Sequence, residues 1–313
     1  MTETTSTARR SLGRYRGCLV GVAVGDALGA PMEGRAVVTD GYLERLPFDP
    51  GPMRYTDDTA MTIGVAESLT AHGEFDGAHM AATLAAHYAA QPWRGYGNGP
   101  PEVFGNLERG VPWNQAAVSL FGGSGSYGNG AAMRVAPIAL SAHPHTETVA
   151  ELARQSAIIT HTHPEGIDGA VAQALAIDYV LCISPKDTPD PTAMIAHIRP
   201  HLSSERFHEK LTTVEWIASE RRTDQLPSLG SGITAHTSVP TALACYLLHP
   251  NSFQDAVAAA ISLGGDTDTI ASMTGALIGA HLGLAAIPPA WRRVEGFEYL
   301  TELADQLAHT SLR

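Results

Sequence analysis

The sequence predicts an all-α protein, and three observations carry that expectation. Alanine-rich segments with helical period fill most of the chain, convincing alternating strands are nearly absent, and Gly/Pro-rich connections at 91–101, 121–130 and 224–232 punctuate the run. The first helical segment, 14–28, carries Gly17, Gly21 and Gly25, with Gly29 directly after it, four apart and therefore on one face. A second such face has Gly275, Gly279 and Gly283. Glycine costs a helix about 1 kcal/mol per residue, so a register of them implies close approach of another backbone. The two faces are candidates to pack against each other in the core and to bring their flanking loops together.

Between them, Met61, Val65, Ser68 and Leu69 share a helical face, as do Ile270, Met273, Leu277 and His281. Further helices are expected at 77–90, 131–141, 147–159, 167–183, 191–201, 205–220 and 237–249. Residues 1–12 read as a disordered tail and 13–313 as one domain, with no internal repeat and no long linker.

Composition narrows the function. Hydrophobic residues make up 44% of the 313 and charged residues 17%, an ordinary globular balance. A formal charge of -12 with no basic cluster beyond Arg221-Arg222 and Arg292-Arg293 disfavours general nucleic-acid binding and is compatible with divalent cations. Cys18, Cys182 and Cys245 are scattered and odd in number, which points to a reducing cytosol and not to a disulfide framework. The polar N-terminus lacks a signal-peptide pattern, and the longest apolar stretch, 18–30, is too short for a membrane span and contains Asp26. A cytoplasmic monomer without membrane contact is expected.

The most informative strings are Thr56-Asp57-Asp58-Thr59 and Asp266-Thr267-Asp268-Thr269, each directly before an apolar-periodic helix. One reading is helix capping, because Asp and Thr satisfy orphan N–H groups. Capping needs only one such residue per helix, however, and doubled carboxylates repel one another without a counter-cation. The other reading is a shared site for hard divalent ions, which take oxygen ligands.

The loop Gly122-Gly123-Ser124-Gly125-Ser126-Tyr127-Gly128-Asn129-Gly130 contains a formal G-x-G-x-x-G, but no βαβ background supports a dinucleotide fold. Its N–H groups ahead of a helix could cradle a diphosphate, or the segment is simply flexible. Ser126 lacks a nucleophile-elbow context. Thr160-His161-Thr162-His163 has too few neighbours for zinc. Glu33 sits on a turn between Pro31 and Gly34, either as an ordinary exposed acid or as a mobile catalytic one.

Taken together, these strings resemble the ADP-ribosylglycohydrolase family. The segments that carry the likeness run from Gly17-Cys18-Leu19 through Gly25-Asp26-Ala27-Leu28-Gly29 and Glu33 to Tyr55-Thr56-Asp57-Asp58-Thr59. They continue with Tyr127-Gly128-Asn129-Gly130-Ala131-Ala132-Met133-Arg134, Thr160-His161 and Ser262-Leu263-Gly264-Gly265-Asp266-Thr267-Asp268-Thr269. They occur in the family's order over about 14–283.

The resemblance implies a compact orthogonal helical bundle around a binuclear site with two Mg²⁺ ions, Mn²⁺ being the alternative. Thr56, Asp57, Asp58, Asp266, Asp268 and Thr269 would be the metal ligands. Gly125, Ser126, Tyr127, Gly128 and Asn129 would bind diphosphate and ribose, with His161 on the adenosine side. Glu33 would cover the distal ribose, and Glu33, Asp57 and Asp268 are the candidate catalytic carboxylates. The implied activity is hydrolysis of the bond between ADP-ribose and a modified protein or small molecule, through an oxocarbenium-like transition state. Tyr127-Gly128-Asn129-Gly130 resembles the serine-specific branch and His163-Pro164-Glu165-Gly166 the arginine-specific one. The expectation is an O-linked acceptor (serine or O-acetyl) first and arginine next. The rivals are a non-catalytic ADP-ribose-binding module, a crystallin-like structural relative, and a hydrolase of another acceptor such as a nucleobase. The first two are expected to lose carboxylates, and here every acidic position is intact.

Overall fold

The computed structural model describes residues 2–36 and 38–309, with side chains from residue 12 onward. The tail expected over 1–12 therefore lies almost wholly outside the described side chains. Helices α1 (Thr2–Gly29), α2 (Asp40–Arg45), α3 (Asp57–His72), α4 (Gly77–Ala90) and α5 (Gly99–Glu108) come first. Then follow α6 (Gly130–Met133), α7 (Ala136–Ala142), α8 (Thr146–Ile158), α9 (Pro164–Cys182) and α10 (Pro191–Ile198). The chain ends with α11 (Glu205–Ser219), α12 (Ala235–Leu248), α13 (Phe253–Ser262), α14 (Thr267–Leu282) and α15 (Phe297–His309). Among the described residues the only β-type pairing is an isolated bridge between Gly128 and Thr234. The all-α expectation holds.

The glycine faces meet as their spacing predicts. α1 and α14 run antiparallel, with Gly17 against Gly279, Gly21 against Gly275, Gly25 against Ala271 and Gly29 against Thr267. A β-carbon on any of these four α1 glycines would collide with a backbone carbonyl oxygen of α14. The pair is buried along nearly its whole contact, and α14 is buried from Thr267 to His281. This packing has a functional consequence: the C-terminal end of α1, with Asp26 and the Glu33 turn, is delivered to the N-terminal end of α14. Thr267 Oγ1 donates to Gly29 O at 2.9 Å and fastens that junction.

Several expected boundaries shift for local reasons. The segment 131–141 divides into α6 and α7 because Pro137 stands in the first turn of a new helix. Helix α10 stops at Ile198, and Pro200 sits in a short 3-10 turn after it. The expected connection 91–101 is invaded by α5 from Gly99 onward. No helix among the described residues is long and apolar enough to cross a membrane.

One carboxylate of α9 ties the end of α7, the start of α8 and helix α10 to that helix. Asp178 is buried, and its Oδ1 accepts from His143 Nδ1 at 2.7 Å. Its Oδ2 accepts from Thr146 Oγ1 at 2.9 Å and His197 Nε2 at 3.1 Å. Burial pushes this carboxyl up, but the donors from His143, His197 and Thr146 outweigh it and hold Asp178 well below the usual carboxylate range. A depressed folded value contributes stability that is present above the unfolded value and lost as pH falls through the folded one. Asp178→Ala should therefore cost about 3 kcal/mol at neutral pH. Urea unfolding should show that deficit shrink below about pH 4, as the wild type loses the same contribution. A deficit independent of pH would show that packing, not charge, is what the residue provides.

Candidate active site

The two acidic strings sit at two helix starts that face one another. Thr56 is the N-cap of α3, its hydroxyl accepting from Asp58 N at 3.4 Å, and Asp266 is the N-cap residue of α14. Thr269 Oγ1 donates to Asp58 Oδ2 at 3.2 Å and joins the two helix ends. The Glu33 turn is stitched to the residues before α14: Gly34 N donates to Gly265 O at 2.8 Å, and Gly265 N to Arg35 O at 2.7 Å. Gly265 has φ +74, and a β-carbon there would strike Ser231 O, so only glycine fits that crossing. Glu33, Asp266 and Asp268 each present a carboxylate oxygen within 4.8 Å of the others.

Capping alone does not account for this arrangement. At α3 the cap bond is made by Thr56, and Asp266 makes no side-chain cap bond at α14. Asp58 Oδ1 is buried with no hydrogen-bond partner. Burial and then the charges of Asp26, Asp268 and Asp57 push the Asp58 carboxyl far up. Burial and then Asp26 raise Asp57, burial and then Asp266 and Glu33 raise Asp268, and burial also raises Asp266. Glu33 is exposed, yet partial desolvation and then Asp266 raise it too. Among the described residues no Lys or Arg forms an ion pair with any of these groups. A concentration of hard oxygen donors that repel one another, one of them orphaned, fits a divalent cation.

Asp26 was not among the site residues expected from the sequence, yet it is bonded directly to the first acidic string. It is fully buried on α1, where Oδ1 and Oδ2 accept from Thr56 N (both 3.0 Å) and Oδ1 from Thr56 Oγ1 (2.9 Å). Oδ2 also accepts from Thr59 N (3.1 Å) and Thr59 Oγ1 (2.6 Å). The proton of the Thr56 hydroxyl thus points at Asp26 and one of its lone pairs accepts from Asp58 N, which leaves one lone pair for the cavity. Arg94 supports the same strand of chain from outside. It pairs bidentately with Glu295 at 2.7 and 2.9 Å, donates to Tyr55 O at 2.8 Å, and accepts at its carbonyl from Asp57 N at 2.9 Å.

The carboxylates line a cavity of about 290 Å³. Of the residues expected at the site, Glu33, Thr56, Asp57, Asp58, Asp266, Asp268, Thr269, Ser126, Gly128, Asn129 and His161 line it. Gly125 does not: it has φ +73 and is pressed against the 162–163 backbone. Tyr127 stands about half exposed with its ring edge-on to His163, centroids 5.6 Å apart. Asn129 is buried and turns its amide to Asp266, Nδ2 to Oδ2 at 2.5 Å. Segment 231–235 ties the glycine loop to the acidic string, since Ile233 O accepts from Asn129 N at 3.0 Å and Ser231 O from Asp266 N at 2.8 Å. Phe121 and Ile233, both largely exposed, line the cavity as well and were not foreseen.

Comparison with known proteins shows the family. The family model described as ADP-ribosylglycohydrolase matches residues 6–313. The chain belongs to that family. Among curated members, ADP-ribosylhydrolase ARH3 of Mus musculus is 37% identical over 96% of this chain and 92% of its own. The Homo sapiens protein of the same name is 36% identical, over 96% and 94%. ADP-ribosylarginine hydrolase Tri1 of Pseudomonas putida is 29% identical, over 97% and 80%. A solved structure titled ADP-ribosylglycohydrolase-related protein complex superimposes with a TM-score of 0.76 at 27% identity, covering 97% of this chain and 99% of that one. This ADP-ribosylglycohydrolase is accordingly a glycosyl hydrolase, and the cavity that collects its acidic strings is the candidate active site.

Proposed function

We propose that this ADP-ribosylglycohydrolase is a divalent-metal-dependent enzyme that cleaves the glycosidic bond between ADP-ribose and an O-linked acceptor, serine or an O-acyl group, with arginine next. The observation that carries the metal dependence is the orphaned Asp58 Oδ1 inside a cluster of mutually repelling carboxylates at the cavity wall. Thr56, Asp57, Asp58, Asp266, Asp268 and Thr269 are the residues that would hold the ions, two Mg²⁺ by preference. When bound, the ions would neutralise this cluster and fix the hydroxyls of the distal ribose.

The chain's own groups supply the rest. Asp26 takes the Thr56 hydroxyl proton so that a lone pair is left for the cavity, and Asn129 holds Asp266 by an amide hydrogen bond. Ser126, Gly128 and His161 line the same cavity, and there the diphosphate and adenosine would lie. Glu33, exposed and raised by desolvation beside Asp266, is suited to take a proton from the attacking water at its carboxylate. The transition state would carry oxocarbenium character, stabilised by the surrounding carboxylates.

The O-linked preference rests on Tyr127-Gly128-Asn129-Gly130 and Glu33, while the likeness to an ADP-ribosylarginine hydrolase supports arginine as the second acceptor. Mass-spectrometric release of ADP-ribose from matched serine-linked and arginine-linked peptides, with Mg²⁺ and with EDTA, tests the proposal. Mg²⁺-dependent release from the serine peptide is the expected result. Release from the arginine peptide alone would reverse the acceptor order. Release unchanged in EDTA would overturn the metal dependence.

A further inference from the structure

Behind the cavity wall, one arginine and one threonine leave His161 a single way to carry its proton. Arg134 is wholly buried, and its guanidinium donates to Gly130 O at 2.8 Å, Ser156 O at 3.2 Å and Thr160 Oγ1 at 2.7 Å. A guanidinium can only donate, so the threonine oxygen accepts from it. Thr160 is buried too, and the other polar atom bonded to its hydroxyl is His161 Nδ1 at 2.7 Å. Were Nδ1 protonated, Oγ1 would receive two donors, and its own O–H would be buried without an acceptor among the described residues. Arg134 Nε is already buried without a partner, and a second orphaned donor beside it would add a further desolvation cost. The hydroxyl therefore donates to Nδ1, and the ring hydrogen is on Nε2.

Nε2 faces the cavity. It makes no hydrogen bond to the protein among the described residues, and the ring lines the cavity with Ser126, Gly128 and Gly130. Glycine keeps that nitrogen uncovered: a β-carbon at Gly130 would stand 3.3 Å from Nε2, and one at Gly128 3.5 Å. Burial, and after it the charge of Arg134, pull His161 down to about 3, so the ring is neutral at working pH. A neutral imidazole with hydrogen on Nε2 has no lone pair to offer the cavity, either to a proton or to a metal.

We infer that Arg134 and Thr160 are positioning residues that lock His161 as the neutral Nε2–H tautomer, making it a hydrogen-bond donor to an oxygen of bound ADP-ribose. This rests on the proposed substrate for the identity of the ligand, but the tautomer itself does not depend on it.

Long-range ¹H–¹⁵N correlation spectra of the ¹⁵N-labelled full chain, without ligand, test the lock directly. The His161 signals are identified by their loss in His161→Gln. The wild type should show the Nε2–H pattern from pH 6 to 8, Thr160→Ser should keep it, and Thr160→Val should admit the other tautomer. An Nδ1–H or imidazolium pattern in the wild type overturns the inference, whatever the variants do. Calorimetry with ADP-ribose and Mg²⁺ tests the donor role. His161→Gln, which retains an amide donor at the same reach, should bind within a fewfold of wild type, and His161→Ala about tenfold or more weaker. Wild-type affinity in His161→Ala overturns the donor role. A wild type that binds no ADP-ribose refutes the proposed function and the donor role, while the spectra still decide the tautomer.

Discussion

Alanine at Asp57 or at Asp268 should reduce turnover by a factor on the order of 10³ or more, with each protein still folded. The two carboxylates stand on different helix starts, and both line the cavity. Losing either leaves the remaining donors short of the oxygen set that a small divalent ion demands. Charge stabilisation by a bound metal is worth several kcal/mol in the transition state, and each 1.4 kcal/mol is tenfold in rate. Stability should move the other way. Burial and neighbouring charge raise both groups, so removing one relieves repulsion in the metal-free protein. Steady-state release of ADP-ribose, paired with thermal unfolding in EDTA, reads both effects. Near-normal turnover in either variant would refute the metal-site assignment; lost turnover with a lowered melting temperature would mean that the carboxylate is structural.

How much of this was legible in the chain depends on how local each signal was. The glycine faces of α1 and α14 were readable because a spacing of four is a property of one helix, and two such faces need each other. The acidic strings were readable because doubled carboxylates exceed what a helix start requires. Asp26 was not treated as a site residue, because its partners Thr56 and Thr59 lie 30 and 33 positions away. Yet a signal existed: a carboxylate inside an apolar stretch is untenable unless paired, so Asp26 called for a partner from the start. Helices α13 and α15 also show apolar stripes in sequence, as in Leu300, Leu303, Ala304 and Leu307, but were not among the expected helices. Helix α5 was hidden by Gly99-Pro100-Pro101, which reads as loop although proline suits a first helical turn. Segment 231–235 has no period at all. Its role as a stitch between Asn129 and Asp266 comes from tertiary carbonyl contacts, which no sequence pattern records.

Asp26→Ala should be the most damaging single change outside the cavity, and its two consequences should be separable. In the wild type one buried carboxylate receives two backbone N–H groups and two hydroxyls from Thr56 and Thr59. Alanine strands those donors at the buried start of α3, at a cost of about 3–5 kcal/mol. The second consequence follows from orientation. With its acceptor gone, the Thr56 hydroxyl is free to turn its hydrogen toward the cavity, where an ion needs a lone pair. Residues that orient metal ligands from behind typically change affinity by about 10–100-fold when removed. Asp26→Asn keeps the shape and one acceptor oxygen but sets an NH₂ against a donor, so it should retain more stability than alanine while still weakening the ion. Urea unfolding in EDTA reads the first consequence, and the Mg²⁺ concentration for half-maximal activity reads the second. An asparagine variant with wild-type Mg²⁺ demand would reduce Asp26 to a purely structural residue. An alanine variant of wild-type stability would refute the buried network itself.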